Sequence, residues 1–436
     1  MPRPVSVAVV GSGPAGFYTA ESLVKSDLAC EIDIIDRLPT PYGLIRGGVA
    51  PDHQTTKNVW RRYEKTALAD RINFYGNVDI GRDIGVDELR ERYDAVVLAI
   101  GSALDRPLGI PGEDKRGVFG AAAFVGWYNG HPDFRDLDPD LGTAAAAVIG
   151  VGNVAIDVAR VLAKTPTEMA ATDIADYAAA AIRSSPLADV YMFGRRGAAD
   201  AKFTNKELRE MGDLEDCAPV VDAAQIPAGV SAEMSARDRR LTEKNLDTMR
   251  EFAARDPGER RKRVHFRFLA SPVEVLGGDR VEALRLEKNE VVGGRAKGTG
   301  EFFEIECGLV LPSIGYRAEP LPGVPYNEGD GTARSDGGRI ERGFYAVGWI
   351  RRGPTGVIGT NKPDGDAASR QIAEDFAGGE KPGRGAFEAL LAERRLRAVA
   401  FDDWKKIERA EIAAASAPAP RRKLTRIKDM LAALDA

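Results

Sequence analysis

Two glycine-rich stretches decide the fold: VAVVGSGPAGFYTAESL at residues 7–23 and VIGVGNVAIDVAR at residues 148–160. In each, a run of apolar residues typical of a buried parallel strand ends at a glycine, and a helix follows. Glycines at this spacing permit a tight turn and let backbone N–H groups at the helix start face a pyrophosphate. Each stretch therefore predicts one Rossmann-like dinucleotide-binding unit.

The first unit carries the signs of a nucleotide with a free ribose. Its turn holds Gly11, Gly13 and Gly16, and the next apolar run, residues 31–35, ends at Asp36. A carboxylate about 20 residues beyond such a turn bonds ribose hydroxyls. Alternatively, the glycine turn is a connection that binds no ligand, and Asp36 is a solvated residue at the end of a strand. Strand, turn, helix, strand and acid in this order favour an adenine dinucleotide of the FAD type.

The second unit differs at two places. Its turn has Ala155 in the third position, which the fingerprint tolerates, and its second strand, 188–193, is followed by Arg195 and Arg196. A carboxylate there would repel a ribose 2'-phosphate, whereas two guanidiniums bind it through charge-assisted hydrogen bonds. A solvated arginine pair on a turn is the alternative. We therefore interpret the second unit as an NADP site.

Composition excludes several other classes of protein. The chain has 436 residues, a formal net charge of -5 and only three cysteines, Cys30, Cys217 and Cys307. Two or three domains are expected at this length, and nucleic acid is not the expected partner. The cysteine spacing excludes a disulfide framework and a four-cysteine iron–sulfur cluster. No apolar run approaches the length of about 18 residues that spans a membrane. An apolar strand begins by Val5, so no signal peptide is expected. We predict a cytoplasmic protein without a metal site.

Four longer motifs carry a family resemblance: LPTPYGLIRGGVAPDHQTTK (38–57), GVGNVAIDVARVL (150–162), GRRG followed by FTNKELREM (within 194–211) and FYAVGWIRRGPTGVIGTNKPDGDA (344–367). With them, nearly the whole chain resembles adrenodoxin-reductase-type ferredoxin–NADP reductases, within the glutathione-reductase-like flavoproteins. The resemblance implies an FAD-dependent NADPH:ferredoxin oxidoreductase. NADPH would deliver a hydride to FAD, and single electrons would pass to a small iron–sulfur protein.

The resemblance also implies site residues. Those expected to contact FAD are Gly11, Gly13, Ala15, Gly16, Asp36, Leu44, Val78, Trp349, Gly356, Val357 and Ile358. Those expected at NADP are Gly150, Gly152, Asn153, Val154, Arg195, Arg196, Glu207 and Gly356. The family more often has glutamate at the position of Asp36, which leaves the geometry of that contact open.

His53 is the candidate for proton chemistry. The resemblance places it beside the flavin and near Glu210, where the two could relay a proton or tune the ring. Alternatively, His53 caps a helix that begins near Gln54. His131 and His265 have a structural or exposed character.

The predicted fold is α/β, with two nested Rossmann-like domains. A discontinuous FAD domain takes residues 1–104 and 320–436, and an NADP domain, 105–319, is inserted between them. The passages lie near two Pro/Gly-rich stretches, DRPLGIPG and YRAEPLPG. A basic helix is expected from 422 to 436.

The acceptor is expected to be a small acidic ferredoxin that docks on local positive charge, with Arg239 and Arg240 as candidates. A solvated helix face is the alternative for these arginines. A flavin monooxygenase, or an electron-transfer subunit of a larger complex, stays open as another function. A thioredoxin-reductase-like enzyme fails because it needs a redox cysteine pair.

Overall fold

The computed structural model describes residues 3–230 and 234–435. Apolar runs such as VSVAVV form buried strands, and the glycine that ends each run turns the chain into a helix. The strands are β1 Val5–Val10, β2 Cys30–Ile35, β3 Ile72–Tyr75, β4 Ala95–Leu98, β5 Leu104–Asp105, β6 Ala145–Ile149, β7 Asp189–Gly194, β8 Cys217–Val221, β9 Lys262–Phe268, β10 Ala270–Leu276, β11 Ala283–Val292, β12 Arg295–Glu306, β13 Leu309–Pro312, β14 Tyr316–Arg317, β15 Tyr326–Asn327, β16 Thr332–Ala333, β17 Arg339–Glu341 and β18 Phe344–Ala346.

The α-helices pack mainly on the faces of the two larger sheets. They are α1 Pro14–Lys25, α2 Leu44–Gly47, α3 Gln54–Lys57, α4 Trp60–Ala67, α5 Val86–Arg92, α6 Ala121–Asn129, α7 Asn153–Ala163, α8 Pro166–Met169, α9 Asp176–Ser184, α10 Asn205–Glu210, α11 Ala236–Ala254, α12 Trp349–Arg352, α13 Asn361–Asp375, α14 Arg384–Glu393, α15 Phe401–Ala413 and α16 Ile427–Ala432.

The first large sheet has the strand order β17-β18-β4-β1-β2-β3. β1 pairs in parallel with β2 and β4, and β18 pairs in parallel with β4. One face packs on α1, α13 and α15, and the other on α5 and α14. This sheet therefore combines strands from both ends of the chain.

The second large sheet has the order β13-β6-β7-β9-β8 and lies wholly between residues 145 and 312. All of its pairings are parallel. An antiparallel sheet, β10-β11-β12, continues from β9. Two Rossmann-like units, the second inserted into the first, confirm the predicted α/β fold.

The chain passes between the two units at a short ribbon. β5, where the chain leaves the first sheet, pairs antiparallel with β14, where the chain returns, so that Leu104 lies opposite Arg317. The domain limits at 104/105 and 319/320 stay a prediction, and the ribbon supports placing the passages close to them.

The expected basic helix from 422 to 436 is wrong in its limits, because the helix there is α16, Ile427–Ala432, and residues 433–435 are not helical. Lys423 is buried and its Nζ lies 3.1 Å from Asp173 Oδ2, on the inserted unit. The Leu424 N–H donates to Glu411 Oε1 over 2.8 Å. These long-range contacts hold the segment before α16 in a non-helical path. Ala436 lies outside the described residues.

Candidate functional site

The first glycine turn leaves no room for a side chain at its first and third glycines, Gly11 and Gly16. Gly11 has φ +107°, and a Cβ on it would lie 2.5 Å from the Ala99 carbonyl oxygen. A Cβ on Gly16 would lie 2.0 Å from the Gly11 carbonyl oxygen. Gly13 stands directly before α1, so the backbone is bare where the N–H groups of the helix start point outward. The turn has the shape that the phosphate-binding prediction requires.

Asp36 is fixed at the edge of this turn by protein donors. Its Oδ2 accepts from the Ser12 N–H at 2.8 Å and from Ser12 Oγ at 2.5 Å, and its Oδ1 accepts from the Leu38 N–H at 2.9 Å. The carboxylate therefore lies at the end of β2 beside the turn. Its predicted contact with ribose stays a prediction.

The C-terminal motif closes over the first turn. Gly348 has φ +69°, and a Cβ on it would lie 2.6 Å from the Cβ of Ala15. Trp349 starts α12, and its Nε1 donates to the Thr355 carbonyl oxygen. These close approaches place residues from both ends of the chain around one surface.

Exposed aliphatic side chains occur in two of the segments expected to contact FAD. Leu44 is 45% exposed and Val357 is 61% exposed, whereas Val78 is completely buried. Gly356 has φ +85°, and Ile358 packs partly on the core of the first unit. Exposed aliphatic side chains beside a bare glycine turn fit a large planar ring bound together with a pyrophosphate.

The second turn repeats the pattern with one change. A Cβ on Gly150 would lie 2.3 Å from the Ser313 carbonyl oxygen, whereas Gly152 faces open space. Asn153 Oδ1 accepts from the Thr204 N–H at 2.8 Å, which ties the turn to the segment after β7. Val154 is partly buried and Ala155 is completely buried. The second turn thus has space for the methyl group of Ala155, whereas the first turn has no space for a methyl group at Gly16.

The arginine pair after β7 lies beside the second turn. Arg195 is exposed. Arg196 is 33% exposed, its Nη1 lies 3.2 Å from Asp200 Oδ1, and it donates to the Gly294 carbonyl oxygen at 3.4 Å. Sequence reasoning missed Asn289, a buried residue whose Nδ2 donates to the Arg195 carbonyl oxygen at 2.8 Å. The β11–β12 hairpin therefore holds the backbone that carries the pair.

His53 meets two glutamates of α10 across the contact between the units. Its Nε2 lies 2.8 Å from Glu210 Oε2 and 3.3 Å from Glu207 Oε2. α3 begins at Gln54, but the His53 side chain makes no capping hydrogen bond to it. Of the two possibilities considered for His53, the geometry favours the pairing with Glu210.

Comparisons with known proteins give the family. The chain matches a family model described as pyridine nucleotide-disulphide oxidoreductase over residues 5–181. It is 43% identical to the NADPH-ferredoxin reductase FprA of Mycobacterium leprae, over 98% of this chain and 97% of that protein. It is 40% identical to the mitochondrial NADPH:adrenodoxin oxidoreductase of Arabidopsis thaliana, over 99% and 95% of the two chains. This chain belongs to the NADPH-ferredoxin/adrenodoxin reductase family.

A solved structure agrees with this membership. Mycobacterium tuberculosis FprA in complex with NADPH matches with a TM-score of 0.95, 42% identity and full coverage of both chains. The chain is therefore an oxidoreductase with the fold of this reductase family. No α-helix among the described residues has the length and apolar character needed to cross a bilayer.

In this reductase, a buried guanidinium organises the charges around His53. Arg160 is only 1% exposed, and its Nε lies 2.7 Å from Asp52 Oδ2, on the first unit. Its Nη1 lies 2.8 Å from Asp157 Oδ1 and 3.2 Å from Glu207 Oε2, on the second unit. Sequence reasoning missed Arg160 and Asp52. The available signal was the i,i+3 pair of Asp157 and Arg160 within GVGNVAIDVARVL, a spacing that places both on one helix face.

The charges in this cluster shift one another's protonation. Burial raises the pKa of Asp52, but the Arg160 guanidinium outweighs burial and holds that pKa well below its usual range. Burial lowers the pKa of His53, but the hydrogen bond to Glu210 and the nearby carboxylates of Asp157 and Asp52 together outweigh burial, and the net pKa is raised. Burial and the Asp157 carboxylate raise the pKa of Glu207 to about 7. His53 and Glu207 therefore retain their protons to higher pH than isolated side chains would, whereas Asp52 and Glu210, whose pKa values are lowered by their cationic partners against the effect of burial, lose theirs at lower pH.

We expect Glu207 to make the stability of the protein depend on pH. A carboxyl whose pKa is raised on folding contributes its full stability below its unfolded pKa, and this is lost as pH rises through the folded pKa. The pKa of this carboxyl is ordinarily 4.5 and is about 7 in the folded protein, so the loss falls between these two pH values. The melting temperature should therefore decline over this range less steeply in Glu207→Gln than in the wild type.

Melting curves at several pH values between 4.5 and 8 check this expectation. Glu251→Gln is the control, because that glutamate lies on α11 with a side chain that is 66% exposed. It should keep the wild-type slope. Identical slopes in the wild type and Glu207→Gln would contradict the prediction.

Proposed function

We propose that this chain is an FAD-dependent NADPH:ferredoxin oxidoreductase. The full-length identity of 43% to an NADPH-ferredoxin reductase carries this conclusion. The two glycine turns, one beside Asp36 and one beside an arginine pair, fit two different dinucleotides. When bound, NADPH supplies a hydride to FAD, and the flavin passes single electrons to a small iron–sulfur protein.

In this proposal the residues of the first unit hold FAD. The bare backbone of Gly11, Gly13 and Gly16 admits the pyrophosphate, and Asp36 orients the ribose. Ala15, Leu44, Val78, Trp349 and Gly356–Ile358 shape the space for the ring. Asp36 already accepts hydrogen bonds from Ser12, so its remaining acceptor capacity serves the ribose.

The second unit would hold NADP(H) in the same manner. Gly150, Gly152, Asn153 and Val154 form the pyrophosphate turn, Arg195 and Arg196 bind the 2'-phosphate, and Glu207 lies near the bound nucleotide. We propose that Gly356 leaves space where both cofactors meet. Arg196 would release or share Asp200, which lies 3.2 Å away, as the phosphate binds.

We propose that His53 and Glu210 hold a proton close to the flavin. The distance of 2.8 Å between Nε2 and Oε2 suits a charge-assisted hydrogen bond. Because His53 belongs to the first unit and Glu210 to the second, this hydrogen bond also bridges them. The pair thereby links protonation to the contact between the units.

Three measurements on the purified protein test the proposed function. Acid release should yield FAD, NADPH should reduce the flavin in a stopped-flow experiment, and mixing with an acidic ferredoxin should reoxidise it. Release of FMN, or of no flavin, would contradict the proposal. Oxygen use that depends on an organic substrate would favour a monooxygenase.

A cytoplasmic location stays a prediction, which fractionation of the producing cells tests.

Removal of both guanidiniums should destroy the preference for NADPH. A hydrogen bond to a charged group contributes about 1.5–3 kcal/mol, and 1.4 kcal/mol corresponds to about tenfold. The double variant Arg195→Ala/Arg196→Ala should therefore lose on the order of 10²–10³ in kcat/KM for NADPH, after allowance for non-additivity. The kcat/KM for NADH should change far less, and FAD should stay bound.

Two further variants sharpen the test of the arginine pair. Asn289→Ala removes the donor to the Arg195 carbonyl and should cost part of the same loss, again only with NADPH. Lys297→Ala removes a charge from the same hairpin, where Lys297 lies 3.5 Å from Glu290 and is 69% exposed. It should behave as the wild type. Equal losses with NADPH and NADH in the double variant would show that the pair serves the fold.

We propose that the iron–sulfur partner docks at the start of α11. Ser235 caps this helix by accepting from the Asp238 N–H, and Arg240 is exposed there while Arg239 is half-buried. α11 packs against α10, where Asn205 Nδ2 donates to the Lys244 carbonyl oxygen at 3.1 Å. The start of α11, with Arg239 and Arg240, is therefore anchored to the helix that carries Glu210. Its local positive charge could attract an acidic protein although the net charge of the whole chain is negative.

Charge reversal at Arg239 and Arg240 should raise the KM for ferredoxin steeply at low salt, because docking would lose its electrostatic attraction. Reduction of a small dye by NADPH should not change. The control reverses Lys288 and Lys297, two exposed lysines on the β11–β12 hairpin, and should leave the ferredoxin KM unchanged. A parallel fall of the ferredoxin and dye activities would assign Arg239 and Arg240 to the fold.

A further inference from the structure

Three potential metal ligands meet where the two units touch. His53 Nε2, Glu207 Oε2 and Glu210 Oε2 all lie within 4.8 Å of one another. His53 is separated from Glu210 by 2.8 Å and from Glu207 by 3.3 Å. Among the described residues, this is the only group of three or more His, Cys, Asp or Glu side chains with such spacing.

The spacing suits zinc. Zn²⁺ binds imidazole nitrogen and carboxylate oxygen at about 2.0–2.2 Å, which places the ligand atoms of a tetrahedral site about 3.3 Å apart. The distances to His53 need only a small adjustment to reach this value. Three protein ligands leave the fourth position to water, and all three side chains keep some access to solvent, with exposures of 10–29%.

The charges around the cluster leave room for a cation. The carboxylates that meet here are Asp52, Asp157, Glu207 and Glu210. The cations that face them are Arg160, Lys164 and Lys206. With a neutral imidazole, one negative charge remains uncompensated. Lys206 is 63% exposed and 3.8 Å from Glu210, so solvent screens much of its contribution.

Arg160 would orient the ligands of a bound ion. Its Nη1 lies 3.2 Å from Glu207 Oε2 and 3.6 Å from Glu210 Oε2. Hydrogen-bond donors behind ligating carboxylates are the usual outer shell of metal sites. Asp52 and Asp157 flank the same guanidinium. Their negative charges compensate its positive charge and so weaken its repulsion of a bound ion.

We propose that His53, Glu207 and Glu210 form an inhibitory zinc site. One ligand comes from the first unit and two come from α10 of the second unit, so a bound ion ties the units together. The ion also takes the position of the proton between His53 and Glu210. The site itself rests on geometry, whereas the inhibition rests on the function proposed above.

Other zinc ligands in the chain are poorly available. Cys30, Cys217 and Cys307 are buried, and burial raises the pKa of the Cys217 and Cys307 thiols to about 12. A protonated, buried thiol is not a zinc ligand. His265 Nε2 pairs with Asp189 Oδ1 at 2.6 Å. This second His–carboxylate pair contains only one carboxylate and so offers two zinc ligands where the His53 cluster offers three.

Titration of the FAD-loaded enzyme with zinc tests the site directly. Calorimetry at about pH 8, where imidazole is available as a ligand, should show one strong equivalent of Zn²⁺ per chain. His53→Gln and Glu207→Gln should each weaken this binding by at least about 10–100-fold, the loss typical even for outer-shell partners. His265→Gln is the matched control and should bind zinc as the wild type does.

Activity measurements test the inhibition separately. Zinc at the concentration that fills the strong site should slow NADPH-dependent reduction of both dye and ferredoxin, and a chelator should restore the rate. Wild type without a strong equivalent, or variants that bind as tightly as wild type, would overturn the site. Strong binding without inhibition would overturn the inhibitory role. The isotherm is independent of the electron acceptor, so failure of the proposed function would be recognised separately.

Discussion

The buried guanidinium of Arg160 is the interaction on which the arrangement of the two units depends. With 1% of its side chain exposed, it contacts Asp52 of the first unit and three carboxylates of the second. A buried charge is tolerated only when it is paired, and removal of one partner leaves an uncompensated charge that costs about 3–5 kcal/mol. Neither unit alone pairs all of its nitrogens, because Nε and Nη2 donate to Asp52 of the first unit while Nη1 pairs with Asp157 and Glu207 of the second. The contact between the units is thus set by charge pairing as well as by apolar packing.

This pairing has consequences for chemistry at the cleft. His53 and its glutamates stand next to Arg160, so any change in their protonation changes the balance of charge across the contact. The raised pKa of Glu207, caused mainly by burial, means that this carboxyl titrates near neutral pH. A proton or a metal ion at this place therefore acts both near the proposed flavin position and on the contact between the units.

Local features were predictable from the sequence, and long-range contacts were not. The limits of β1 and α1 follow from the apolar run, the glycines and Pro14, which are all neighbours in the chain. The Asp52–Arg160 pair joins residues 108 positions apart, and no periodicity signals it. The expected helix from residue 422 was wrong for the same reason, since the burial of Lys423 depends on Asp173. The pairing of His53 with Glu210 was reached only through family resemblance, because the two lie 157 positions apart.

The third position of the turn is Gly16 in the first unit and Ala155 in the second, and this difference arises from the packing of helix on strand. The choice of nucleotide depends on other residues. In the first turn a methyl group on Gly16 would clash with the Gly11 carbonyl oxygen, whereas the methyl group of Ala155 packs in the core of the second unit. The third position therefore reports how closely helix and strand approach, and it does not identify the nucleotide. The discrimination lies at the end of the following strand. There Asp36 is held by Ser12 and Leu38, whereas the Arg195 backbone is held by Asn289. In the first unit the carboxylate itself is thus fixed by neighbouring protein groups, and in the second unit the backbone that carries the guanidiniums is fixed, which reduces the ordering that nucleotide binding requires.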